Sequence, residues 1–335
     1  MPHEIDITTG RPAIAYTGET PWHGLGIKVN EAMVSEDAIK LGGLDWLVFL
    51  APVYGHNFDG EGYSEIEGYH RLIREDTRTT LSIVGNKYTP LQNRDAFKLA
   101  DSLIENGLRY DVVGSLQGGR RIWLLAKLPD QIRVIGHDVL DNYLLLTSSH
   151  DGSQTVKVSL TPIRVVCMNT LRQAEVSADY LLRAKHTSSV HATVARKLRP
   201  LFVNIQAWTK GFTEECQLLA CKSVNDREID TFLRELLGYQ AKDLNVDNSK
   251  DDLTVRASNM IDTIKELHAG GKGSDIPGVR GSLWGVFNAV AEYTDHLSSV
   301  KGEDKTEARL SSIWFGTGAR LKEKAFQKAL ELAKV

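Results

Sequence analysis

An Asp-Gly turn between two apolar runs constrains this chain more than any other single feature. His150-Asp151-Gly152-Ser153 separates Tyr143–Ser148 from Gln154–Leu160. Asp-Gly in that setting is a strong short-range hairpin signal, because glycine takes up positive φ without steric cost. Two antiparallel strands over Tyr143–Leu160 are therefore expected. A second hairpin is expected from Arg109–Leu116 and Arg121–Leu128 around Gln117-Gly118-Gly119. His70–Ile73 and Thr79–Val84 read as a third pair around the polar turn Arg74–Arg78, and Asp45–Val53 reads as a further strand.

Helical spacing enters in two places. Ala96, Phe97, Ala100, Leu103 and Ile104 recur at helical intervals, with Asn93 as N-cap and Asn106-Gly107 as stop. Ser35–Leu41 reads as a short helix that Gly42-Gly43 ends. After Thr187 the texture becomes helical: Ser188–Leu219, interrupted by Pro200, then Asp226–Leu237, Leu253–Leu267, Ser282–Leu297 and Ala319–Ala333. The expected fold class is α+β: an antiparallel sheet with a packed helix, followed by a mainly helical C-terminal region. The boundary falls near residue 187, giving an α+β core domain over 1–187, opened by an N-terminal segment, and a helical domain over 188–335.

Composition excludes more than it assigns. The 335 residues are 42% hydrophobic and 25% charged, which is ordinary for a globular protein. Three cysteines, Cys167, Cys216 and Cys221, do not make a disulfide framework and favour a reducing compartment. No apolar run approaches the roughly 18 residues of a membrane span, and MPHEIDITTG lacks the pattern of a secretory signal. The bacterial cytoplasm is the expected location. No Walker A spacing and no dinucleotide fingerprint occur, so no nucleotide cofactor is expected. His186 and His191, like Cys216 and Cys221, are five apart, a spacing that does not converge on one metal ion from a helix.

Charge is uneven. The formal net charge is −3, yet Gly152–Pro200 holds eight bases against two acids, and Met1–His70 holds eleven acids against three bases. Clustered Lys and Arg are the electrostatic footprint of phosphate binding. The candidate nucleic-acid-binding residues are Arg120, Arg121, Lys157, Arg164, Arg172, Arg183 and Lys185, with Trp123 and Tyr143 as rings on which bases could stack.

The elements PWHGLG, VGNKYTPLQNRDAF, SHDGS and TPIRVVCMNTL, in this order and spacing, resemble the phage/plasmid-like protein family of bacteriophages, prophages and conjugative plasmids. The likeness runs from about residue 3 to FGTGARLKEKA. It implies a mobile-element protein and brings no established reaction. The order of elements, the basic middle and the missing ATP motif are also similar in architecture to single-strand annealing proteins, which assemble side by side into rings or filaments. The expectation that follows is an ATP-independent single-stranded DNA-binding and annealing protein, acting as a homo-oligomer in recombination or replication, with a phage nuclease or host protein as a further partner. One alternative is an interaction protein that modulates host defence or replication through the acidic surface of Glu61, Glu65 and Glu67. Another is a nucleic-acid-processing enzyme using His150, Asp151 and Cys167. Whether Asn169 is functional or structural is left open by the sequence.

Overall fold

The computed structural model describes residues 5–17, 26–30, 33–104, 108–164, 169–170, 182–239, 253–300, 309, 312–313 and 316–334. Its centre is a largely antiparallel eight-stranded sheet. The strands are β1 (Ile14–Thr17), β2 (Ile27–Val29), β6 (Arg109–Leu116), β7 (Arg121–Ile135), β8 (Asp138–Ser149), β9 (Val156–Arg164), β10 (Asn169–Thr170) and β11 (Leu182–Ala184). The order is β10-β9-β8-β7-β6-β1-β2, with β11 beside β10 on the outer edge of β9. A smaller sheet joins β3 (Val48–His56), β4 (Tyr63–Arg74) and β5 (Thr80–Gly85) in the order β3-β4-β5. The α+β class is what the sequence implied.

Alternation decides what each face of the large sheet meets. Ile122, Leu124, Ala126, Leu140, Leu144, Leu146, Val156, Val158 and Leu160 join one large apolar core with the helices. The intervening residues Trp123, Leu125, Tyr143, Leu145 and Ile163 form a second cluster with Ile5, Ile14 and Leu116. Every residue from Asn142 to Ser149 is therefore buried, although the strand is antiparallel.

The helices are α1 (Ser35–Leu41), α2 (Asn93–Ile104), α3 (Val190–Cys221), α4 (Asp226–Leu236), α5 (Val255–Gly270), α6 (Leu283–Glu292) and α7 (Thr317–Ala333). α3 runs through Pro200 without a break and packs on the sheet: Asn142 Nδ2 donates to Thr209 Oγ1 at 3.0 Å. α6 is buried on every side, which suits a helix that is apolar apart from Asn288 and Glu292. Phe326 of α7 packs against Phe212 and Phe287, 5.4 and 5.1 Å between ring centroids. The apolar core is thus continuous across residue 187.

Trp284 ties α6 to the β7–β8 hairpin, its Nε1 donating to buried Asp138 Oδ2 at 2.7 Å. Trp284→Phe keeps most of the volume and removes that donor from a buried carboxylate. It is expected to lower stability by about 1–3 kcal/mol, read from the urea midpoint.

Candidate nucleic-acid interface

One end of the large sheet gathers most of the chemistry singled out in the sequence. The turns β6–β7 and β8–β9 lie there, and the small sheet packs against them. His150 N–H donates to Arg120 O at 2.7 Å, and Ser82 Oγ of β5 donates to His150 O at 3.1 Å. Gly119, at φ 97°, lets Trp46 and Arg74 approach, since a Cβ there would meet both at 3.1 Å.

Buried Arg74 fastens the small sheet to this end. Its guanidinium forks onto Asp76, Nε to Oδ1 at 2.7 Å and Nη2 to Oδ2 at 2.9 Å. Nη1 bonds buried Asp6 and also donates to Gly118 O at 3.2 Å. The guanidinium lies over the Trp46 ring, 4.4 Å from its centroid.

Beside it, His150 is fully buried and pairs with Asn93, Nε2 to Oδ1 at 2.8 Å. Asn93 Nδ2 donates to Leu44 O at 2.9 Å, which fixes the amide orientation and makes His150 Nε2 the donor. The side chain read as a helix cap is thus committed to tertiary bonds. Tyr88 Oη donates to Ser149 O at 2.9 Å, its ring stacks on His186 at 4.9 Å, and Thr89 N–H donates to His186 O at 3.0 Å. The NKYTPLQN and SHDGS stretches converge here as a scaffold. Asp151 takes the amide and hydroxyl of Ser153, and these bonds hold its carboxyl below the usual range against the opposing effect of burial. His150, sealed inside and bonded to Asn93, is a structural anchor. Cys167 lies outside the described residues. Among the described residues no group of three or more His, Cys, Asp or Glu is placed to hold a metal.

Burial pushes His150 down from 6.5 to about 3, helped by the nearby His186 and Arg74, and burial lowers His186 as well. Below pH 6.5 the unfolded chain therefore binds protons that the folded chain refuses. Stability is expected to be full above that pH and to fall as pH drops toward 3, by up to about 1.4 kcal/mol per pH unit for one such histidine. Denaturation of wild type and His150→Gln across pH 4–7 checks this: the variant is expected to show the shallower dependence.

The basic residues sit around this scaffold. Register sets Trp123, Thr147, Lys157 and Arg183 in one row across β7, β8, β9 and β11. Arg121, opposite Ser149, lies on the same face near Asp151. Lys157 is half-buried; Arg120, Arg183 and Lys185 are exposed, and so are Arg196 and Lys197 on the adjoining turns of α3, which the sequence reading passed over. Lys197 Nζ donates to Arg183 O at 3.0 Å. Arg164 ends β9 opposite Leu140 and Asn169, and Arg172 lies outside the described residues. Lys157 and Arg183 lie directly opposite each other on β9 and β11, so two cationic side chains share one row of this edge.

The two rings do not fit the stacking role expected of them. Trp123 and Tyr143 are 8% and 6% exposed and fill the second cluster. Gly114, directly opposite Trp123, makes room for the indole, since a Cβ there would come within 3.0 Å of it. Tyr143 bonds Asp111, and burial raises its hydroxyl pKa well above the usual value. Both side chains stabilise the sheet and present no open ring face.

A family described as "Domain of unknown function (DUF932)" matches residues 80–314, and the chain belongs to that family. The matched segment begins at β5 and takes in the His150 scaffold and the basic edge. It leaves out β3 and β4. Searches of curated proteins and of solved structures found no match. Among the described residues no helix is long and apolar enough to cross a membrane.

Proposed function

We propose that this chain is an ATP-independent single-stranded DNA-binding and annealing protein of a phage or other mobile element, acting as an oligomer in recombination or replication. The observation that carries the reading is the basic edge formed by Lys157, Arg183, Lys185, Arg196 and Lys197 beside a rigid sheet end. Cations so grouped displace counterions from a phosphate backbone whatever its sequence. With Trp123 and Tyr143 inside, the strand would be held through its phosphates, leaving base edges free to pair.

A salt titration of fluorescent oligo-dT against the purified protein tests this. The expected result is retention at low salt and an affinity that falls linearly on a log–log scale as salt rises. No retention at low salt would end the proposal.

A further inference from the structure

Beyond Val53, β3 and β4 run on as a two-stranded hairpin. Its tip is closed by its own bonds: Asn57 Nδ2 donates to Glu61 O at 2.8 Å, and Glu61 N–H donates to Asp59 Oδ1 at 3.0 Å. Tyr54, Tyr63 and Ile66 are exposed, and Phe58 is fully so. Asp59, Glu61, Glu65 and Glu67 are exposed among them, and no Lys or Arg occurs between Val53 and Gly68. A bare two-stranded ribbon is marginal in water, and exposed apolar groups rimmed by one sign of charge mark an interaction surface.

The charge of the hairpin limits what covers it. Two hairpins meeting each other would set four carboxylates against four. The edge of Lys185, Arg196 and Lys197 offers the opposite sign on a different part of the molecule. We propose that the hairpin of one copy docks on the basic edge of a second copy. Unlike surfaces then meet, so the contact is head-to-tail and propagates into a ring or a filament. This inference rests on reading that edge as a polyanion site. The hairpin brings carboxylates and rings where a single strand brings phosphates and bases, so the two compete for the same cations, and this head-to-tail assembly is the form of the protein before it meets DNA.

Sedimentation velocity without nucleic acid tests the contact. Wild type is expected to associate with rising concentration and to fall back toward the monomer as salt rises. Glu61→Lys with Glu65→Lys and Glu67→Lys should stay monomeric, as should Lys185→Glu with Arg196→Glu and Lys197→Glu. Mixing the two variants should restore association, because each hairpin then meets an edge of opposite sign; this rescue also shows that both variants are folded. Oligo-dT added to wild type should break the contact. A wild type that is monomeric throughout, association that survives either reversal, or oligo-dT that binds without loosening the contact would each overturn the proposal. The hairpin-reversed variant should still bind oligo-dT; if the contact obeys the charge swap while no variant and no wild type binds the strand, docking stands and the nucleic-acid reading falls.

Discussion

Arg74→Met is expected to destabilise the protein by about 3–5 kcal/mol, because it leaves the Asp6 carboxylate inside the protein without its cation. The same change releases the fork on Asp76, the bond to Gly118 O and the stack on Trp46. Urea unfolding followed by tryptophan fluorescence measures the loss. Pairing it with Asp6→Asn is expected to recover a good part, since the penalty comes mainly from the stranded charge. If the single and double variants were equally unstable, packing on Trp46 would be the dominant contribution of Arg74.

Removing the cations of the edge should have the largest effect on binding. Lys157→Gln, Arg183→Gln and Lys185→Gln together are expected to weaken oligo-dT binding on the order of 100-fold at low salt, taking about 1 kcal/mol per contact. The salt slope should become shallower by roughly 2, at about 0.7 per phosphate released. Anisotropy titrations at several salt concentrations give both numbers. Trp123→Phe, which keeps the second cluster filled, should leave affinity unchanged. An equal loss for Trp123→Phe would mean that the ring reaches the strand after all.

Local signals carried much of the fold. The β8–β9 hairpin at Asp151-Gly152, the β6–β7 turn at Gly118-Gly119, α2 and the helical series after Thr187 lie where turn chemistry and periodicity put them. Failures came where local signals mislead. Pro129 lies inside β7, at the register shift between Lys127 and Gln131, and made a 15-residue strand look finished at Leu128. The strand expected from His70 begins at Tyr63 in the structure; Tyr63–Tyr69 is exposed and carries no apolar alternation to mark it. Pro200 suggested a break that α3 does not make.

The candidate site was legible as charge and illegible as geometry. The basic cluster is visible in composition alone. That Asn93 meets His150 across 57 positions follows from how two sheets meet, which no window of sequence contains. Trp123 and Tyr143 looked like open rings because alternation gives a face and does not say what covers it. Arg196 and Lys197 were counted in the basic stretch but passed over as site residues, since only the packing of α3 beside β11 brings Lys197 to Arg183.

The burial of Asn142–Ser149 on both faces has a kinetic counterpart. From Tyr143 to Thr147 this strand is paired with β7 on one side and β9 on the other, and its amides there reach solvent only when the whole sheet opens. In deuterated buffer they should be the last to exchange, at a rate that reports global unfolding, while the free-standing end of the β3–β4 hairpin exchanges through fraying alone.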